Sequence, residues 1–339
     1  MTAATFQSPG RSVGWSRLIQ RNASLLLSYA ILLVMAAFYL VYAARMGQLT
    51  PYSITSIINN TAPLLFAAIG QTFVVLTRGV DLSVGAVISL MNCLAAILIQ
   101  DSTASMVGWS LFILLAGAAV GALNGLLVAV GRIQPILATL ATLSVWTGVA
   151  LFVLPEPGGV IPEAYTDLMT GYVFGQVPSS LILLLLLVLF WLVFRRTSLS
   201  IAIYAIGDDE RSAAANGIDV KMTKVLAYAL SGVFSAMAGL FLSALTTSGD
   251  ANIGAVYTLT SLAAVVLGGV SLFGGSGSAF GSMAGAFVLT LSVSILFLAN
   301  INPWLQEFFQ GLVLILAMAA HMLLSVLSNR IERRRNDHD

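Results

Sequence analysis

The sequence predicts an all-α polytopic membrane protein of about ten transmembrane helices, with both termini in the cytoplasm. Three observations carry this. Apolar runs near 20 residues recur along the chain, each long enough for a hydrocarbon core of ~30 Å. Of 339 residues, 58% are hydrophobic and only 9% charged, where a soluble domain carries about 25% charged residues. The basic residues also fall on alternate connections, as expected for cytoplasmic loops. A β-barrel would need short alternating segments instead.

Taken in order, residues 1–22 form a polar N-terminal segment with Arg11, Arg17 and Arg21. Span 1 covers about 23–44; it is too long for a signal-peptide core and reads as uncleaved. A short loop, 45–56, leads to span 2 at about 57–77. That span is expected to be broken, because Pro63 removes a backbone donor just after Asn59, Asn60 and Thr61. A break at membrane depth persists only where protein or a water-filled cavity covers it. Span 3, about 83–99, holds Cys93. It is the only cysteine, so an intrachain disulfide is excluded and the side chain reads as small apolar filler. A loop with Asp101 precedes span 4 (about 107–130) and span 5 (about 134–154), with Pro135 in a first turn. Residues 155–177 are a Pro- and Gly-rich loop. Span 6 covers about 178–194, and 195–223 is the longest charged loop. Spans 7 to 10 cover about 224–246, 257–273, 280–299 and 304–327, the last preceded by Pro303. The transmembrane domain is thus 23–327, and 328–339 is a polar cytoplasmic tail.

With the N-terminus in the cytoplasm, 14 of the 15 basic residues are cytoplasmic and only Arg45 is not. The outer loops instead carry Asp101, Glu156, Glu163, Asp167 and Asp250. Losing or adding one span would spoil this asymmetry, which supports an even count.

Several chemistries are absent. No Gly-rich phosphate loop ending in Gly-Lys-Ser/Thr exists, and Lys221 and Lys224 are the only lysines. If ATP is used, another chain hydrolyses it. His321 and His338 form no metal or Ser/His constellation, and His321 reads as a polar residue packed between helices or near the interface. A net charge of +1 gives no global field for nucleic acid. The span middles hold no ionisable groups, which argues against a proton- or sodium-coupled carrier.

Two polar stretches stand out. Residues 78–85, Arg-Gly-Val-Asp-Leu-Ser-Val-Gly, lie between spans 2 and 3 at a cytoplasmic turn or re-entrant bend. Asp81 there can cap the following helix through the amide of Ser83 or Val84. A partial echo, Gly269-Val270-Ser271-Leu272-Phe273-Gly274-Gly275, follows span 8. Gly79, Asp81, Ser83, Gly85, Gly274 and Gly275 are the candidates for a rigid turn or inner gate. In the loop 195–223, Asp208 is expected to cap a short helix that stops at Asn216-Gly217. This reads as a solvated connector or a docking helix for a cytoplasmic partner. Candidate pathway groups are Asn59, Asn60, Thr61, Gln71, Asn92, Asn124, Thr139 and Thr142, each also suited to bonding between helices.

Residues 79–85, Leu123-Asn124-Gly125-Leu126-Leu127-Val128, Arg132 to Leu140, Ala205 to Ile218, Ala263 to Gly269 and Gly274 to Ser278 occur in this order. Together they resemble the inner-membrane permease subunit of ribose-type ABC importers, a family that also serves arabinose, xylose, galactose and autoinducer-2. The resemblance covers about residues 23–327. It implies a second permease subunit, identical or not, around a central pathway, a cytoplasmic ABC ATPase and a periplasmic substrate-binding protein. No cofactor is bound by this chain; ATP and Mg belong to the ATPase. The loop matching 205–218 is implied to meet the ATPase, through Asp208, Asp209, Glu210, Arg211, Asn216 and Gly217. The chain departs from the pattern where Arg78 replaces a usual glycine, where Ala141 stands in a typical Thr-Leu-Gly, and where Thr258 and Thr260 follow Tyr257 in place of acids. The expected solute is a pentose or hexose. The alternatives are a polyol, nucleoside, amino acid or autoinducer in the same architecture, a standalone ion-coupled carrier, and a structural membrane scaffold.

Overall fold

The computed structural model describes residues 23–302 and, beyond them, residues 305, 308, 309, 311, 312, 315 and 319. Segment 1–22, most of span 10, the tail 328–339, Pro303, Glu307 and both histidines lie outside the described residues. From residue 23 to 302 the elements are α1 (Ala23–Arg45), α2 (Pro51–Leu76), α3 (Val84–Leu98), α4 (Thr103–Ala129), α5 (Pro135–Val153) and α6 (Glu163–Thr170). A two-stranded hairpin follows, β1 (Tyr172–Val173) with β2 (Val177–Pro178). Then come α7 (Ser179–Phe194), α8 (Ser198–Asp208), α9 (Glu210–Ala215), α10 (Val220–Thr246), α11 (Ala255–Leu267) and α12 (Ala279–Leu298).

The polytopic helical class holds. Among the described residues six helices are long and apolar enough to cross a membrane. The pair α7–α8, bent by 74°, makes a seventh if it is one span. Helices α3 and α11 are apolar but have only 15 and 13 residues, about 22 and 20 Å at 1.5 Å per residue.

Helix α2 corrects two expectations. It begins at Pro51 rather than near 57, with Thr50 and Ser53 bonding each other's amides in a capping box. It also runs unbroken through Pro63. The proline removes one donor, so only the Asn59 carbonyl loses its partner, and close packing around a mostly buried helix holds the rest in line.

Segment 247–254 leads from α10 into α11. It has no helix and descends beside α3. Gly249 pairs with Gly158 and packs on Ala96 and Cys93. Asn92 donates to the Ser248 carbonyl and accepts from the Asp250 amide at 2.8 Å. Ser89 Oγ accepts from the Gly254 amide at 2.9 Å. Ser89 lies nine residues before the end of α3 at Leu98, roughly 14 Å along the axis. Helix α11 therefore starts well short of the end of α3, its lead-in bonded by side chains of that neighbouring helix.

Two helix seams are built from small residues, as befits a medium where van der Waals contact replaces the hydrophobic drive. Gly117, Gly121 and Gly125 of α4 face Tyr228, Gly232 and Ala236 of α10. A Cβ on Gly121 would lie 2.1 Å from the Tyr228 carbonyl oxygen. Across α11–α12, a Cβ on Gly281 would lie 1.9 Å from the Gly268 oxygen. An aromatic cluster of Phe73, Trp191, Phe194 and Phe234 ties α2, α7 and α10 together, with Phe73 edge-on to Phe194 at 4.9 Å.

The ends of the bundle differ in charge. The turns at 77–83 and 131–134, helix α9 and the start of α10 share one end, with Arg78, Arg132, Arg211, Lys221 and Lys224 around one cavity. At the other end, residues 158–161 bond to 96, 247 and 249. There α6 and the hairpin fold back over α2, with Asn59 donating to the Thr170 carbonyl and Tyr172 to Thr55. These are the segments that the sequence assigns to opposite membrane faces.

Candidate functional site

At the basic end three chain segments meet at one point. Helix α2 stops at Leu76, and Arg78 takes the left-handed conformation, φ 64°. The Gly79 amide returns to the Val74 carbonyl and that of Arg78 to Val75, the bonding of a left-handed helix stop. Helix α11 ends the same way, with Gly269 at φ 78° and Val270 bonding back to Val265. The echo in the sequence is thus a shared helix ending. The matching register pairs Arg78 with Gly269, one residue from the pairing the sequence suggests. A glycine suits this position. Arginine has another use here: Nε donates to the Gly207 carbonyl at 2.8 Å, and Nη2 donates to the Asp208 carbonyl. A cation thereby sits on the C-terminus of α8, where the helix dipole favours it.

The third segment is Gly274-Gly275, both at positive φ, 79° and 69°. The Gly275 amide donates to the Leu76 carbonyl at 3.1 Å. Gly207 is the contact point of all three, since a Cβ there would lie 1.9 Å from the Leu76 oxygen and 2.3 Å from the Gly275 nitrogen.

The loop expected at 195–223 holds two helices, α8 and α9. Thr197 caps α8 by accepting from Ser200. Asp208 is the last residue of α8 and does not cap the next helix, a correction to the sequence reading. Asp209 is the cap: its Oδ1 accepts from the Ser212 amide, and that bond holds its carboxyl below the usual range. The extended backbone needed at a cap falls on Asp209, φ −150°, because α8 uses Asp208 to complete its last turn. Glu210 pairs with Lys224 of α10 at 2.7 Å. Arg211 is exposed. Asn216 bonds back to the Ser212 carbonyl, and Gly217, φ 84°, ends α9.

Behind Arg78 lies a buried polar knot. Asp81 is 2% exposed. Its Oδ1 accepts from the Ser83 amide at 3.0 Å and the Ser83 hydroxyl at 2.6 Å, and Oδ2 accepts from Ser231 at 3.1 Å. Asn124 donates to Ser83 Oγ at 2.7 Å. The Gln71 side-chain amide, oriented to satisfy both contacts, donates to the Asp81 carbonyl and accepts from its amide. Thr139 donates to the Val80 carbonyl at 3.2 Å. Among the described residues no cation pairs with this carboxylate. The knot joins α2, α4, α5 and α10 to one turn. Ser83 begins α3 without a side-chain cap. Gly79 packs on Tyr228, and Gly85 lets the Gly254 backbone approach α3.

The expected pathway groups therefore divide. Gln71, Asn124 and Thr139 converge on the 80–83 turn, with Thr142 bonding to the Thr139 carbonyl. Asn92 holds the 247–254 segment. Asn59 reaches Thr170, Asn60 bonds Ser56, and Thr61 bonds the Ile57 carbonyl of its own helix. None of these lines the cavity of about 340 Å³ between α3, α5 and the start of α11. That cavity has polar groups from Ser89, Thr147, Asn252 and Thr258 among apolar residues such as Ala86 and Leu143. Its volume lies in the range of small-ligand sites. It also adjoins the non-helical segment 247–254, which supplies Ala251 and Asn252 to its wall. Sequence reasoning missed these four side chains. The available signal was the run of small and polar residues Thr246 to Gly254, too short and irregular for an ordinary outer loop alone.

Residues 53–318 match the family model described as "Branched-chain amino acid transport system / permease component". The chain is 32% identical to the ribose import permease protein RbsC of Haemophilus influenzae, over 79% of this chain and 84% of that one. It is 32% identical to the autoinducer 2 import system permease protein LsrC of Yersinia enterocolitica, over 84% and 79%. The probable ABC transporter permease protein YphD of Escherichia coli is 30% identical over 98% of this chain and the whole of that one. No solved structure matches the chain. The chain belongs to this family of ABC-transporter permeases and is a multi-pass protein of the bacterial inner membrane.

Proposed function

We propose that the protein is the membrane subunit of an ATP-driven importer that carries a pentose or hexose delivered by a periplasmic binding protein. ATP and Mg are used on a separate cytoplasmic ATPase, and a second permease subunit completes the pathway. In this reading the chain has ten spans with both termini cytoplasmic, so the basic end faces the cytoplasm. The relatives' names support a sugar or sugar-like solute, while the family description keeps an amino acid as the alternative.

The observation that carries the coupling role is the Arg78 clamp. It binds the end of α8 to the end of α2, one residue before the cap of α9. Asp208, Asp209, Glu210, Arg211, Asn216 and Gly217 form or flank the exposed surface that meets the ATPase. A push on α9 passes through α8 to Arg78, the 79–85 turn and Gly274-Gly275, which act as the inner gate. The solute passes the cavity at Ser89, Thr147, Asn252 and Thr258, and the buried amides Gln71, Asn92 and Asn124 keep its walls in register.

The test is co-purification of the ATPase with the variant Asp208→Lys/Glu210→Lys. The proposal expects recovery to fall several-fold while the variant still inserts. Wild-type recovery and transport would refute the coupling role.

A further inference from the structure

We propose that the cavity at the basic end binds a phosphate-bearing anion, either the headgroup of an acidic phospholipid or a free phosphate compound. The cavity measures about 770 Å³ and lies between the end of α2, the α4–α5 turn, α9 and the start of α10. Five cations line it: Arg78, Arg132, Arg211, Lys221 and Lys224. The one lining carboxylate, Glu210, is committed to Lys224 at 2.7 Å. Asp209 feels the charges of Arg78 and Arg211, but it does not line the cavity. The side chains of Arg132, Arg211 and Lys221 make no hydrogen bond or ion pair among the described residues.

Backbone conformation is a second observation. Five non-glycine residues among those described have positive φ, and two of them are Arg78 and Arg132, at 64° and 55°. Both line this cavity. Strained residues that persist cluster at working sites. The end of α2 gains its own clamp from that strain, whereas left-handed Arg132 closes the end of α4, with the Ile133 amide on the Leu127 carbonyl, and its guanidinium has no partner among the described residues. That turn sets the Arg132 side chain against the cavity.

The bias of cations toward one membrane face explains their end of the bundle. It does not gather five around one concavity or leave three side chains without a hydrogen bond or salt bridge among the described residues. A cluster of this charge repels cations. Guanidinium forks match the paired oxygens of a phosphate, and lysines supply further charge. The anion would bridge Arg132 on the α4–α5 turn to Arg211 on α9 and so tether the exposed helix to the bundle. The site is separate from the cavity at Ser89 and stands whatever solute the protein carries.

The test uses the purified full-length permease without any partner, so its result is independent of transport. One arm titrates inorganic pyrophosphate by calorimetry at fixed ionic strength. The other detects retained phosphatidylglycerol by native mass spectrometry, after extraction from mixed phosphatidylglycerol/phosphatidylcholine vesicles. Saturable binding is expected in at least one arm, and the arm that responds distinguishes a free phosphate from a lipid headgroup. Arg132→Gln/Lys221→Gln should weaken binding about tenfold or more, the equivalent of about 1.4 kcal/mol. Arg195→Gln/Arg196→Gln, which removes two cations away from the cavity, should leave it unchanged. If the first pair does not fold, the exposed Lys221→Gln alone should still weaken binding measurably. No saturable binding in either arm, or equal weakening by both pairs, overturns the proposal.

Discussion

Arg78 donates from Nε to the carbonyl oxygen of Gly207 at 2.8 Å, across 129 positions of sequence. The same arginine holds left-handed backbone at the end of α2. Backbone and side chain therefore want different residues. Glycine would relax the turn, by about 1 kcal/mol, but only arginine reaches Gly207 and Asp208. Arg78→Gly and Arg78→Ala both lose the clamp, while Arg78→Ala also keeps the strain. Thermal unfolding in detergent should place Arg78→Gly above Arg78→Ala. Both should lose ATP-driven transport relative to ATP hydrolysis. The reverse stability order would contradict the turn assignment.

The α4–α10 seam makes a paired prediction. A Cβ on Gly121 would enter the Tyr228 carbonyl, whereas one on Gly108 of the same helix meets nothing within 4 Å. Gly121→Ala should cost on the order of 2 kcal/mol through overpacking. Gly108→Ala should be neutral or slightly stabilising. Equal melting temperatures for the two variants would show that the helices are not this close.

Asp81 tests the buried knot. Removing its carboxylate in Asp81→Ala strands the Ser83 and Ser231 hydroxyls, and unsatisfied buried groups cost about 1–3 kcal/mol each. Asp81→Asn keeps the acceptor facing Ser83 and presents a donor that the Ser231 hydroxyl can accept. Alanine should therefore destabilise strongly and asparagine by less than half as much, measured by unfolding in detergent. Equal losses would mean that the charge itself, rather than the hydrogen bonds, is required.

The cavity proposed for the solute gives a functional prediction. Thr147→Leu adds bulk on the cavity side of α5. It should reduce uptake several-fold while ATPase co-purification and melting temperature stay near wild type. Uptake at the wild-type rate would remove this cavity from the pathway.

The fold was legible where single segments carry their own signal. Apolar length located most of the long helices among the described residues, and the alternation of basic loops matched the two ends of the bundle. Pro135 starts α5 as a first-turn proline should. The misses are cases where distant partners decide. Pro63 looked like a break, yet the packing of α2 absorbs the one lost bond. Segment 247–254 was legible as a connection, but its descent beside α3 was not, because its partners Asn92 and Ser89 lie more than 150 residues earlier. Asp208 and Asp209 are equivalent as caps by composition; the end of α8 chooses between them. The spacing Gly117, Gly121, Gly125 was readable as a close seam. Its partner on α10 was not.

The central claim is that solute movement through this chain is driven by a separate ATPase acting through α9 and the Arg78 clamp. The direct measurement is uptake of radiolabelled pentose or hexose into proteoliposomes holding the permease, its ATPase and the binding protein. Uptake should require ATP and the ATPase, and Arg78→Ala should lower the solute carried per ATP hydrolysed. Uptake driven by an ion gradient with the permease alone, or unchanged stoichiometry in Arg78→Ala, would contradict the account.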